Sequence, residues 1–473
     1  MTPTTADAYE LLHRGSLALA RASHNGARVD VGYLKQKRIE VDREMRALTK
    51  ELKADKVWKV WKGRFGDGAK LGSRPQLAAV FYEELGLPVR ERTEKGQPST
   101  EESAFRGVPL PFVKSYFRLA KLAKVRSTYL DGILREVCGE YLHPDFNLHT
   151  VQTYRGSSSD INFQNIPVRD PEVGKLIRSG FIPRRGRRIV ETDLSGAEVR
   201  VAYCYHLDPT MRAYLLDPKS DMHGDTACEL FMLPPEFVRE NAAWAKKTVR
   251  DWAKNRFVFP QFYGSVYFQC APHLWEAVVP CKLPDGAALV EHLAARGVTG
   301  LGQCSPKASP APGTFEQHVR RVEQSFWSDR FPVYTAWKER RLREYLERGH
   351  FDLATGFRCA GVYRRNQVIN YPVQGAAFHV LLWSLVKLQD WLDRHGFKAL
   401  IIGQIHDSII ADVPDDEVQD YLTAVRHFVT VACPRHWPWI TIPLEIEAEV
   451  CEPGASWATK KVWKDKGGVW TAA

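Results

Sequence analysis

The chain has 473 residues, 44% of them hydrophobic, enough for a large core and more than one domain and unlike a disordered or low-complexity polymer. Its formal net charge is +10 and its pI is near 9.0, so the surface should attract polyanions. The nine cysteines are scattered, with no Cys-x-x-Cys pair and no zinc-finger spacing, no run approaches the roughly 20 apolar residues that span a bilayer, and Met1 to Asp7 lacks a signal pattern. These features predict reduced thiols in a cytoplasmic protein with no membrane partner.

Residues 8–137 read as helices along which lysine and arginine recur, with a basic aromatic stretch at 56–62 and a Gly-rich, basic loop at 63–73. Such an arm could grip a nucleic-acid backbone, or its lysines could simply keep a helix face solvated. Residues 144–193 change character. Thr153 to Asp160 is polar and turn-like, and Arg155 could reach a minor groove. The apolar strand pattern Ile189-Val190 then ends at Asp193.

A helix should follow, because Ser195 with Glu198 three residues on is a capping-box signature. The same placement puts Glu198 beside whatever Asp193 serves, so capping and contact with a bound sugar both remain open. Residues 235–264 read as one long basic helix that runs into Phe257-Val258-Phe259-Pro260-Gln261-Phe262-Tyr263-Gly264. Arg250 and Lys254 are four apart and share a face, either as a solvated stripe or as a clamp for phosphates.

Residues 305–313 look like a flexible insert between helical stretches. Helical periodicity returns over 331–349, 355–370 reads as a basic loop or hairpin, and 372–394 as a strong helix with Gln374 in its first turn. A hairpin follows whose polar tip holds His406, Asp407 and Ser408 between apolar runs, then a helix from about Asp415 and a strand over 442–450. Strands returning to one sheet with helices on one side predict an α+β platform. Asp193 and Asp407, each at a strand end, are the natural pair to hold two Mg²⁺ ions for nucleotidyl transfer.

In order and spacing these stretches resemble the polymerase region of family A DNA polymerases, the group of bacterial DNA polymerase I and many bacteriophage replicases. Asp193 to Arg200 is similar to the family's first catalytic motif, Arg250 to Gly264 to its fingers helix, and His406-Asp407 to its second catalytic motif. Residues 153–167, His223 and Asn370 to Gly375 match further family stretches, and the resemblance covers roughly residues 8–457.

The resemblance implies a right hand: N-terminal segment and thumb in 1–143, palm in 144–225 and 366–457, fingers in 226–365 with an insert near 265–330, and a basic aromatic tail in 458–473. It implies an antiparallel palm sheet backed by helices, and template-directed addition of dNTPs to a primer. Asp193, Asp407 and the Leu194 carbonyl would bind two Mg²⁺ ions. Arg250, Lys254 and His223 would hold the triphosphate, Glu198 would exclude ribonucleotides, and Tyr263 and Phe259 would pack on the nascent base pair. Arg155, Asn370, Gln374 and His406 would contact primer-template DNA.

Departures from the family pattern are informative. Lys254 and Tyr263 are nine apart where eight is usual, and Pro260 falls between them, which predicts a π-bulge or kink. Ser408 replaces a carboxylate, and Asn366 stands where an arginine is common, with Arg365 beside it. Too few residues precede the thumb for a 3′ to 5′ exonuclease domain, so we expect no intrinsic proofreading and a separate exonuclease or processivity subunit as partner. The tail could dock a partner or DNA, or fray into solvent. The compact chain looks like a phage replicase in a bacterial cytoplasm. Two competitors remain, a single-subunit RNA polymerase, which shares the His-Asp-Ser triplet, and a catalytically inactive DNA-binding scaffold.

Overall fold

The computed structural model describes residues 3–473 except 90, 94, 95, 106 and 169. At its centre lies a six-stranded antiparallel sheet in the order Val469–Ala472, Lys461–Lys466, Ile446–Val450, Arg187–Leu194, Ser408–Pro414, Leu400–Ile405. Two-residue periodicity sends Ile189 to one face of the Arg187–Leu194 strand and Val190 and Leu194 to the other. Each face joins its own core. Val190, Ile401, Ile409 and Val413 pack with the 30-residue helix Arg365–Arg394 and with Thr5–Asn25 and Val418–His427. Ile189, Ile402, Ile405 and Ile410 pack beneath Phe163, Phe181 and Trp457. The sheet is therefore covered on both faces, where the sequence pattern suggested helices on one side.

Two further cores are helical. Residues Leu52 to Phe117 build a small one around Trp61, Phe81 and Phe112, carried by Val31–Ala54, Lys56–Phe65 and Pro111–Lys124. Residues Tyr203 to Ile369 build a larger one around Phe231, Phe257, Phe315, Phe326 and Phe331. The insert expected near 265–330 contributes to this core through Tyr267–Val278, Leu289–Ala294 and Phe315–Ser325. Residues 279–288 and 295–314 stay irregular apart from isolated bridges.

Several boundaries differ from the sequence reading for local reasons. The long basic helix is broken into Pro235–Glu240, Ala242–Lys247 and Val249–Ala253. At the first break Asn241 donates its side-chain amide to Phe237, and at the second Thr248, at φ −130 and ψ −108, turns its hydroxyl to Trp244; both side chains compete with the backbone for helix carbonyls. The expected bulge is present: a π-helical turn spans Lys254–Val258, followed by Phe259–Phe262. The extra residue of a π turn absorbs the ninth position between Lys254 and Tyr263, and Pro260 falls at the start of the next α turn, where its missing N–H costs least.

The helix placed at 372–394 begins at Arg365 and runs through Pro372, so Gln374 sits in its interior. Burial of Val368 in the sheet core with Val373 and Ala376, and of Ile369 in the helical core, outweighs the proline's preference for a helix start. The last central strand shortens to Ile446–Val450, since Pro443 cannot donate to a ladder. Residues 458–473, expected as a tail, form a hairpin that extends the sheet, with Trp470 buried and its N–H and C=O bonded to the Gln419 side chain.

Gly403 lies at a register shift in the edge pairing of Leu400–Ile405, and a Cβ there would meet the ring of Phe163 at 2.5 Å. Because Phe163 is fully buried, Gly403→Ala should cost about 1–3 kcal/mol of stability by overpacking. A lowered urea midpoint with unchanged slope checks this; an unchanged midpoint contradicts the packing described.

Candidate active site

The hairpin Leu400–Ile405 to Ser408–Pro414 turns through two residues, His406 and Asp407. His406 takes φ 49, the positive value a tight two-residue hairpin loop demands at its first position. The neighbouring strand pairs Asp193 with Ser408, and the Leu194 N–H donates to the Asp407 carbonyl at 3.0 Å. Two carboxylates remote in sequence thus share one end of adjacent strands and line one cleft of about 440 Å³.

Burial pushes both acids up to about 6. Asp193 is raised by desolvation, relieved in part by the Ser408 hydroxyl, which donates to its Oδ1 at 2.6 Å, and raised further by Asp407. Asp407 is raised by desolvation, with Arg155 opposing at 3.8 Å from Oδ1 and Glu198 reinforcing. Oδ1 of Asp407 is buried and accepts no hydrogen bond. Two desolvated carboxylates with an orphaned oxygen, beside the Leu194 backbone, form an all-oxygen donor set of the kind hard divalent cations take. Among the described residues no cluster of three His, Cys, Asp or Glu side chains does so; Ser408 occupies the place a third carboxylate could have held.

Glu198 lies across the cleft, and here the sequence reading is corrected. The helix Ala197–His206 is preceded by Gly196 in a left-handed conformation with no side-chain cap, so Ser195 and Glu198 make no capping box. Ser195 instead donates to Glu447 at 3.2 Å. Freed from capping, Glu198 accepts from Arg155 Nη1 at 3.0 Å and from the Tyr263 hydroxyl at 2.5 Å. Burial, then the Glu198 carboxylate, raises the Tyr263 phenol well above its ordinary value, so it stays a donor. The carbonyls of Tyr263 and Gly264 are held by Asn370 at 3.1 Å and Asn366 at 3.2 Å, both from the first turns of Arg365–Arg394.

Arg250, Lys254 and His223 gather beside the cleft but do not line it. Phe259 is the partition: it lines the cleft, stands edge-on to His223 with ring centroids 5.8 Å apart, and carries the Lys254 ammonium 5.3 Å from its ring centre, a cation–π distance. Arg250 is anchored on Asp221 at 2.6 Å; burial pushes the Asp221 carboxyl up, yet Arg250 and the Gly224 amide hold it below its ordinary value. Burial, then Arg250 and Lys254, depress His223 to about 4, so it is neutral at physiological pH and its Nδ1 is buried without a partner. Arg155, Gln374 and His406 also line an adjoining groove with Thr153, Gly156, Gln164, Tyr371 and Phe378.

Every residue singled out from the sequence therefore falls in or beside one cleft. The sequence reading missed its apolar wall, Met211, Phe262, Tyr334 and Val373, and the anchoring role of Asp221. Phe262 and Val373 lay inside stretches already noted and Asp221 two residues before His223, whereas Met211 and Tyr334 carry no local signal, since helical apolar residues look alike whichever cavity they face.

Comparison with known proteins places this geometry. A family model described as DNA polymerase family A matches residues 33–276 and 328–459. "DNA polymerase I, thermostable" of Thermus filiformis is 30% identical over 462 residues, covering 94% of this chain and 47% of that protein. DNA polymerase I of Pseudomonas aeruginosa is 28% identical, covering 93% and 43%. A DNA polymerase of Bacillus phage SP01 is 26% identical over 396 residues, covering 77% and 37%. The chain spans about half the length of the curated relatives it matches. The solved POL domain of Pol1 from M. smegmatis, in complex with DNA primer-template and dNTP, shares the fold with a TM-score of 0.72 at 22% identity, covering 94% of this chain and 70% of that one.

Mg²⁺ should raise the Tm of the protein at pH 8, and by less in Asp193→Asn or Asp407→Asn. Because both acids protonate near pH 6, protons compete with the cation, and the Mg²⁺-dependent rise should fade as pH falls through about 6. A rise of equal size at pH 5, or one kept in the asparagine variants, would place the cation elsewhere.

Proposed function

The chain belongs to DNA polymerase family A, and we propose that it is a template-directed DNA polymerase adding dNTPs to a primer 3′-hydroxyl. The observation that carries this reading is the convergence of Asp193 and Asp407 on one cleft whose other walls are Glu198, Tyr263 and Phe259. In this reading the six-stranded sheet is the palm, the helical layer from Tyr203 to Ile369 the fingers, and the helices around Trp61 the thumb.

Asp193, Asp407 and the Leu194 carbonyl would hold two Mg²⁺ ions, which supply activation of the primer hydroxyl and neutralise charge on the leaving pyrophosphate. Ser408 fixes the Asp193 carboxylate through its hydrogen bond. Arg250 and Lys254 bind the triphosphate as cations behind Phe259, and neutral His223 offers a ring N–H to a phosphate oxygen. Arg155, Gln374 and His406, which line the adjoining groove, contact the primer terminus, and Asn370 acts through the Tyr263 carbonyl that it holds.

Sugar selection follows from Glu198. Its two oxygens are held by Arg155 and Tyr263, which fixes the carboxylate across the cleft, where it would crowd a ribose 2′-hydroxyl. This favours deoxynucleotides over the RNA polymerase alternative, although the Ser408 triplet is common to both. A phage DNA polymerase stands among the relatives beside bacterial ones, and we read the chain as a phage replicase acting in a bacterial host.

Purified protein with Mg²⁺ should extend a primed template with dNTPs in preference to rNTPs. Asp407→Asn should lower extension by more than about 100-fold, on the scale of losing a key electrostatic group at a reacting centre, with primer-template binding retained. Preference for rNTPs sinks the DNA polymerase assignment, and a binding-only wild type would point to a scaffold. Glu198→Ala should relax discrimination against rNTPs by roughly tenfold or more, as expected for loss of one selective contact; unchanged discrimination would move the gate elsewhere.

A further inference from the structure

Val362 is fully exposed, at 101% of its reference area, and no other large apolar side chain among the described residues is as exposed. It sits at the tip of the lip Gly361 to Arg365, between the hairpin His350–Asp352 with Arg358–Ala360 and the start of the helix Arg365–Arg394. An exposed valine on a floppy loop would mean nothing. This one is held rigidly: the Tyr345 hydroxyl donates to the Gly361 carbonyl and accepts from the Tyr363 N–H, both at 2.7 Å, so the backbone is pinned on each side of Val362. The Tyr363 ring is wedged among Phe351, Tyr345 and Tyr371, with centroids 5.2, 6.2 and 5.8 Å away.

The lip is also charged and well placed. Arg364 and Arg365 are exposed, and neither forms an ion pair with a carboxylate among the described residues. Directly after them Asn366, and one turn further Asn370, hold the carbonyls of Gly264 and Tyr263 at the cleft. On the other side, the Tyr154 hydroxyl donates to the Arg358 carbonyl at 2.8 Å, tying the hairpin to the segment that carries Arg155.

We propose that this lip is a strand-separating wedge: Val362 abuts the terminal base pair of a downstream duplex while Arg364 and Arg365 draw in the phosphates of the parting strand. The proposal rests on the polymerase reading above. Its physical basis is that a rigid apolar side chain can take the stacking place of a base, and unpaired arginines beside it match the polyanion it must meet. The charge and rigidity favour a duplex end over a protein partner, for which a single valine offers too little apolar area.

The test compares extension by the full chain on two primed templates, one single-stranded ahead of the primer and one carrying an annealed downstream strand. Val362→Ser and Val362→Asp should slow synthesis through the duplex by about tenfold, the rate equivalent of about 1.4 kcal/mol, while extension on the open template stays within about twofold. Val362→Leu should displace as the wild type does. The proposal is overturned if Val362→Ser passes the duplex at the wild-type rate, if both templates slow equally, or if the wild type stalls at every downstream strand. Failure of the wild type on the open template would instead overturn the polymerase reading, and the wedge with it.

Discussion

The pairing of one strand with one hairpin is the constraint on which everything else depends. The Leu194 N–H bond to the Asp407 carbonyl and the register Asp193 to Ser408 bring two carboxylates together at one end of the sheet. Neither would stay there without the isoleucines behind them. A one-residue slip of either strand would send every side chain to the opposite face, so the two apolar cores, by demanding Ile409 on one face and Ile410 on the other, set the acids to within a residue. Desolvation follows from the same packing, and it leaves the pair as a place that favours positive charge.

The second organising element is the Glu198 carboxylate, which links three parts of the chain. It takes Arg155 from the loop that joins the paired strands Asp145–Asn147 and Ser157–Ser159, Tyr263 from the end of the helix Phe259–Phe262, and stands on the helix that begins just past Asp193. Asn366 and Asn370 then tie the Tyr263-Gly264 carbonyls to the long helix. The Lys254–Val258 π turn belongs to this arrangement as well. It absorbs one residue, so Lys254 and Phe259 reach the same wall while Tyr263 still arrives opposite Glu198.

Wherever a signal was local or periodic, it was legible in the sequence. The helix stripe Ala377, Val380, Leu381, Ser384, Leu385 and Leu388 is buried as its spacing indicates, and the misfit of nine residues with an internal proline marked the π turn. Where two local rules competed, tertiary contacts chose between them. Ser195 and Glu198 satisfy a capping pattern, but Glu447, Arg155 and Tyr263 offer both side chains better partners. Pro372 looks like a helix start, but buried Val368 and Ile369 carry the helix a further turn and more upstream. The last sixteen residues showed lysines and tryptophans with no partner in view, and only the free edge of Ile446–Val450 made them a hairpin.

By itself the sequence determined the family, the identities of the acidic, basic and aromatic groups that meet, and the elements on which they ride, because spacing along a strand or helix is a local property. The tertiary structure alone decided what each group does to the others. That Glu198 is a bridge and not a cap, that Asp407 keeps an unbonded oxygen, that His223 is neutral and that Val362 stands rigid in solvent all depend on distances between residues remote in the chain, where burial and charge act through space and leave no periodic trace in the order of residues.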